Sequence, residues 1–226
     1  MLRAGQGSRS LPREAPPDPE LSLLSARLYV VTPDRSPKEV LDLAGAVLRG
    51  GAEVLQLRHK TLPRGELLEV ARRLRELTSA AQAIFIVNDH VDIALASGAD
   101  GVHLGPDDVP LDSARRLVPA GFLVGASASD PQSARSAVSA GADYIGCGPA
   151  FSTPVKKEKV VIGPAGVAAV ASSVDVPVFA IGGIDASNVG QLIALGLHRV
   201  CVIRGVADAA DPESAARRLR AMLDSE

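Results

Sequence analysis

Two acids and three cations in this chain fall just where apolar, strand-like runs give out: Asp89, preceded by Asn88; Asp108; and Arg58, Lys60 and Lys156. In a repeating strand/helix fold such positions gather at one rim. Carboxylates there hold a divalent metal while guanidinium and ammonium groups hold phosphate oxygens, so the mixture predicts an anion carried together with a metal. The ligand class expected is a phosphate or diphosphate ester.

Gln56, Arg58 and Lys60 alternate at period two with Leu57 and His59, which sends all three the same way from an extended segment. They form one clamp, with solvated loop charge as the plain alternative. The run 85–89 ends abruptly on an amide and a carboxylate. Asp89 either caps the helix that begins near Val91 or shares a Mg²⁺ ion with Asp108, water and substrate oxygens completing the octahedron. The pairing with Asp108 favours the metal, and Asp107 leaves open which neighbouring carboxylate turns inward.

Gly146-Cys147-Gly148-Pro149, followed by Thr153 and Lys156, reads as a strand end opening into a loop that carries a hydroxyl and an ammonium. Ala180-Ile181-Gly182-Gly183-Ile184 and the later Arg204-Gly205 stand where barrels of this kind bind phosphate through backbone N–H groups. The glycines let an anion come close, or serve chain conformation alone. None of the four histidines has metal-ligand spacing, and His103 inside a strand reads as a satisfied core or rim residue.

The elements that must position these residues follow from periodicity. Strands are expected at 28–31, 54–57, 84–87, 101–104, 122–124, 144–146, 178–181 and 200–203, and helices at 37–49, 64–80, 91–97, 111–118, 131–140, 164–172, 186–195 and 212–223. Gly51-Ala52, Gly98-Ala99, Gly141-Ala142 and Gly196-Leu197 each read as a helix C-cap feeding the next strand. Alternation requires parallel pairing with crossover helices, and eight units predict a closed (β/α)₈ TIM barrel, an α/β fold, with an open doubly wound sheet as the alternative.

The chain has 226 residues, 46% of them apolar and only 3% aromatic, so Val, Leu, Ile and Ala must fill the core. One domain is expected over 26–226, preceded by a partly disordered extension over 1–25. The apolar run 21–24 is far too short for a signal-peptide core or a membrane span. A formal charge of −2 gives no electrostatic reason to expect nucleic acid or an anionic membrane as partner. Cys147 and Cys201 lack CxxC spacing and read as small buried hydrophobes, compatible with a reducing cytoplasm. Small-molecule partners and a cytoplasmic location are expected, and self-association into a homo-oligomer is left open.

From Leu28 to Leu223 the chain resembles the thiamine phosphate synthase family. The resemblance rests on Gln56-Leu57-Arg58-His59-Lys60, Asn88-Asp89-His90-Val91-Asp92, Gly101-Val102-His103-Leu104-Gly105 with Asp108, Asp143-Tyr144-Ile145-Gly146-Cys147-Gly148-Pro149, Thr153 with Lys156, and Ile181-Gly182-Gly183-Ile184. It implies a transferase that joins a hydroxymethylpyrimidine diphosphate to a hydroxyethylthiazole phosphate with release of diphosphate. By position, Gln56, Arg58, Lys60, Asn88 and Lys156 would contact the pyrimidine diphosphate, Ser127 the pyrimidine substrate, and Asp89 and Asp108 the cofactor Mg²⁺. Thr153, Gly183, Ile203 and Arg204 would line the thiazole phosphate site. The implied catalytic set is Arg58, Lys60, Lys156 and Ser127.

The chain departs from the family pattern in places. Val155 stands where a second threonine is usual, Arg204 where a serine often lies, Pro106 for a frequent glutamine and His59 for a frequent glutamate. An inward-turned Arg204 would offset the lost hydroxyl. The related thiazole tautomerase bears a histidine soon after the strand-five serine, whereas Ser127 is followed by Ala128, Ser129 and Asp130. A noncatalytic phosphate sensor would have little need for two acids beside three cations.

Overall fold

Short apolar runs bounded by glycine turns form eight strands in the computed structural model, which describes residues 18–152 and 160–225. They are β1 (Leu28–Val31), β2 (Val54–Leu57), β3 (Ile84–Asn88), β4 (Gly101–Leu104), β5 (Leu123–Ala128), β6 (Tyr144–Cys147), β7 (Val178–Ile181) and β8 (Val200–Val202). Neighbours in sequence pair in parallel, and β1 also pairs with β8 through Leu28 and Val200, so the sheet closes into a barrel and the open-sheet alternative is excluded.

Each strand reads as an apolar run because both of its faces are covered. Leu55, Leu57, Val87, Val102, Ile145 and Ala180 point outward into the layer beneath the helices. Tyr29, Val54, Ile84, Ile86, Leu123, Tyr144, Phe179 and Cys201 point inward and fill the barrel. Both cysteines are free and buried, and burial raises both thiols, Cys147 to about 12, leaving them unreactive.

The outer helices include α2 (Pro37–Arg49), α3 (Arg64–Ala80), α4 (Val91–Ser97), α5 (Leu111–Leu117), α6 (Pro131–Ser139), α7 (Gly163–Ala171) and α10 (Pro212–Asp224). The four glycine elements end their helices as expected: Gly51, Gly98, Gly141 and Gly196 have φ from 70° to 100°. The next residue donates back five positions, Ala52 to Val47, Ala99 to Ala94, Ala142 to Ala137 and Leu197 to Leu192, each at 3.0 Å. This is the 6→1 bond of a helix C-terminus turned by a left-handed residue.

The elements differ from the sequence expectations at four places. β5 runs on to Ala128, so Ser127 lies within the strand rather than after it. The helix expected over 186–195 contracts to α8 (Gly190–Ile193), because Asp185 and Asn188 bond locally: Ser187 N–H donates to Asp185 Oδ1 at 2.7 Å and Asp185 N–H to Asn188 Oδ1 at 3.0 Å. A short α9 (Arg204–Ala207) follows β8. Residues 19–25 of the expected extension form α1 (Pro19–Ser25), which lays Leu23, 2% exposed, against the barrel floor. Residues 1–17 lie outside the described residues. Among the described residues no helix is long and apolar enough to cross a membrane.

Candidate active site

The C-terminal ends of β1 to β4 hold most of the polar residues singled out from the sequence. Thr32 N–H donates to Gln56 O at 2.9 Å, and the Thr32 hydroxyl lies 3.1 Å from Arg58 O and 3.0 Å from Arg58 N, which carries the β1–β2 ladder beyond the strand ends. Beyond it, Asp34 accepts from Arg58 Nη1 at 3.2 Å and from the Lys60 backbone N–H at 2.6 Å. One carboxylate thereby fixes both the guanidinium and the loop that bears the ammonium. The period-two alternation holds: Gln56 turns inward, 4% exposed, with its Nε2 donating to Tyr29 Oη at 2.6 Å. His59 faces the opposite way and folds the loop, its Nδ1 accepting from Leu62 N–H at 3.1 Å and its Nε2 lying 2.9 Å from Arg35 O.

Asp89 is not a helix cap. The N-cap of α4 is His90, with no side-chain cap bond, and Asp89 itself sits in the left-handed region at φ 65°. An aspartate tolerates that backbone, and its carboxyl is thereby turned across the rim. There it pairs with Lys60 Nζ and lies in hydrogen-bonding contact with the Asp108 carboxyl. Asp108, rather than the exposed Asp107, is the carboxylate that turns in, held by the Gly105 N–H at 2.7 Å.

The electrostatics of the pair are unequal. Burial works to raise the Asp89 carboxyl, yet Lys60 and the contact with Asp108 outweigh it and hold Asp89 below the usual range. Burial raises Asp108, the Gly105 N–H opposes that, and the neighbouring Asp89 adds to the rise. Two carboxyls this close do not both ionise freely without a cation between them. Among the described residues no third His, Cys, Asp or Glu joins them.

Asn88 ends β3 opposite His103 of β4. Ser127, exposed at the barrel mouth, is 3.0 Å from His103 Nε2. His103 is thus a satisfied rim residue, as expected, but its partner belongs to the candidate set. On the far side, Gly182 and Gly183 have φ 103° and 64°, and a Cβ on either would fall 2.6 Å from Pro149 Cβ or 2.5 Å from Ser152 O. These glycines are required by the chain's own path, with Phe151 N–H donating to Gly182 O at 3.0 Å. Ile203 packs against the inner core. The condition under which Arg204 would offset the lost hydroxyl is not met: its Nε donates to Asp208 Oδ2 at 2.7 Å, an acid that also holds Arg35, so its side chain runs along α9. Thr153, Val155 and Lys156 lie outside the described residues.

The structure therefore brings Gln56, Arg58, Lys60, Asn88, Asp89, Asp108 and Ser127 to one mouth, with Gly183, Ile203 and Arg204 on the β7–β8 side. Thr32, Asp34 and Tyr29 were not singled out from the sequence, and Tyr144 entered there only as part of the motif 143–149, with no role. Their signal was inward parity and position at the end of β1.

The family described as thiamine monophosphate synthase matches residues 28–206. The thiamine-phosphate synthase of Methanoculleus marisnigri is 47% identical over 199 residues, covering 85% of this chain and 93% of the relative. That of Gloeobacter violaceus is 46% identical over 191 residues and 84% of this chain, which spans only 55% of that relative's length. The thiamine phosphate pyrophosphorylase structure from Pyrococcus furiosus superposes with a TM-score of 0.82 at 38% identity, over 91% of this chain and 97% of that one. The family match runs through every strand of the barrel, and the chain belongs to the thiamine monophosphate synthase family.

Proposed function

We propose that the protein is a thiamine-phosphate synthase that couples 4-amino-2-methyl-5-hydroxymethylpyrimidine diphosphate with 4-methyl-5-(2-hydroxyethyl)thiazole phosphate and releases diphosphate. The relatives' shared name supports the activity. The observation that carries the chemistry is the Asp89–Asp108 contact with Lys60 against it.

That donor set fits Mg²⁺, an ion that keeps several waters and needs only one or two protein carboxylates beside substrate phosphate oxygens. Asp89 and Asp108 would hold it, and the ion would relieve the repulsion that raises Asp108. When bound, Mg²⁺ supplies charge neutralisation for the leaving diphosphate. Lys60, half-exposed on Asp89, is free to exchange that carboxylate for a phosphate oxygen, and Arg58 is oriented by Asp34 for the same task. Lys156 is assigned to the diphosphate as a third cation.

In the coupling, the bond from the pyrimidine methylene carbon to the diphosphate oxygen breaks and both electrons depart with the diphosphate. The thiazole nitrogen lone pair then closes on the methylene carbon. No proton changes hands, so the residues serve as preorganised charge and position rather than as a strong base. Gln56, Asn88 and Ser127 position the pyrimidine. Thr153 and Gly183 line the thiazole phosphate, with Ile203 and Arg204 contributing backbone N–H groups.

Diphosphate release by the purified full chain should require both substrates and should stop when EDTA removes the metal. Equal release from the pyrimidine diphosphate alone would make the protein a hydrolase, and no release with all components present would also overturn the reading.

A further inference from the structure

The barrel interior carries a polar file that the coupling chemistry does not by itself require. It runs from Gln56 on β2 to Tyr29 on β1, to Tyr144 on β6, to His103 on β4 and to Ser127 on β5. The links are 2.6 Å, 2.9 Å, 3.3 Å and 3.0 Å. Neighbouring strands give up side chains to admit it. A Cβ on Gly125 would lie 2.0 Å from Tyr144 Cζ, and one on Gly146 would lie 3.2 Å from His103 Cε1. Around the file the interior is apolar, with Val54, Ile84, Ile86, Leu123 and Phe179. Phenylalanine would fill the two tyrosine positions without any demand for partners, whereas two buried hydroxyls must be satisfied.

The file has a direction. The Gln56 Nε2 group only donates, so Tyr29 Oη accepts from it and must pass its own proton to Tyr144 Oη. Burial pushes both phenols above their ordinary range, so both keep their protons. Tyr144 then donates to His103 Nδ1, which leaves the imidazole proton on Nε2, aimed at Ser127 Oγ. With its oxygen already accepting, Ser127 has its own hydrogen left to give at the barrel mouth.

We propose that His103, backed by Tyr144 and Tyr29, is a positioning residue that presents the Ser127 hydroxyl as a hydrogen-bond donor to a ring nitrogen of the pyrimidine substrate. The proposal rests on the functional reading in which Ser127 meets the pyrimidine. The far end of the file is Gln56, assigned to the same substrate, so one chain of bonds sets the polarity of both contacts.

Two measurements test it. Imidazole ¹⁵N spectra of the full-length protein, with His103 identified by comparison with His103→Gln, should show the Nε2–H tautomer, and Tyr144→Phe should erase that preference. An Nδ1–H tautomer in the unaltered protein would mean the file runs the other way and would overturn the proposal. In steady-state kinetics Tyr144→Phe should lower kcat/KM for the pyrimidine diphosphate about fivefold, the scale of one neutral hydrogen bond, mainly through KM. In a Ser127→Ala background it should have no further effect, and independent, multiplying losses would sink the coupling. His103→Gln, which keeps a donor near the Nε2 position, should retain more activity than His103→Leu. The tautomer needs no substrate, so a protein inactive on both substrates defeats the functional reading while the spectra still decide the polarity of the file.

Discussion

Asp107 and Asp108 are the same residue type one position apart, and only their surroundings separate them. Asp108 is half-buried, fastened to the Gly105 N–H and in contact with Asp89, while Asp107 is exposed. Asp108→Asn keeps the shape and removes the charge that would hold a cation. It should slow turnover at saturating Mg²⁺ by at least about tenfold, or roughly 1.4 kcal/mol of barrier, with Asp107→Asn within about twofold of the unaltered protein. Steady-state rates of the two variants check this, and equal rates would remove Asp108 from the metal site. Spacing alone left the choice between these neighbours open, because a one-residue change in loop geometry decides it, and only the family resemblance pointed to Asp108. Asp34 was missed for a related reason. It binds Arg58 and Lys60 across a gap of more than twenty residues, and no local pattern marks an acid that acts on a neighbouring strand's loop.

The helix-to-strand joints follow a rule at the element scale. After Gly51-Ala52, Gly98-Ala99 and Gly141-Ala142 comes an acid that reaches to the preceding strand. Glu53 accepts from Leu28 N–H at 3.0 Å, Asp100 from Phe85 N–H at 2.8 Å, and Asp143 from Val124 N–H at 2.7 Å. An arginine from a helix backs each one: Arg220 on α10, Arg75 on α3 and Arg115 on α5. Asp100 is the least exposed of the three, at 13%, and bonds Arg75 at 2.6 Å. Asp100→Ala should therefore lower stability by about 1.5–3 kcal/mol, the range for hydrogen bonds to a charged group, seen as a lower urea midpoint with the m-value unchanged. A loss below about 0.5 kcal/mol would show that water replaces the clamp. These joints also explain why so much of the fold could be read from the chain. Glycine turns and apolar runs punctuate it at every unit, so seven of the strands start where periodicity put them and β5 starts one residue later. The contraction at α8 was illegible because Asp185 and Asn188 win the backbone locally over a segment whose composition suits a helix. Helix α1 was hidden because its apolar stretch is short and gains its stability only against the finished barrel.

At the scale of the whole molecule the two ends of the barrel carry different loads. The mouth gathers acids and cations that satisfy one another loosely, whereas the floor is latched. Arg199 Nη2 donates to Leu24 O at the end of α1 at 2.7 Å, His198 Nδ1 lies 3.2 Å from Leu223 O on α10, and Leu23 closes the interior from below. In barrels of this class the loops at the strand C-termini carry chemistry and the opposite face carries stability. Leu23→Ala tests that division, since it opens a cavity beneath the inner core without touching the mouth. It should lower the unfolding free energy by about 2–4 kcal/mol, while KM for both substrates stays unchanged at temperatures well below the transition. Leu23 belongs to the same inner cluster as Tyr29 and Tyr144, which back the file that ends on Ser127. A raised KM for the pyrimidine diphosphate alone would therefore show that relaxation at the floor travels up that file and that the two ends are not independent. An unchanged KM with the full stability loss would show that the mouth is isolated from the floor by the aromatic layer, in which Tyr29 and Tyr144 are tilted 5.9 Å apart and each meets Phe179 edge-on, at 5.3 and 5.9 Å.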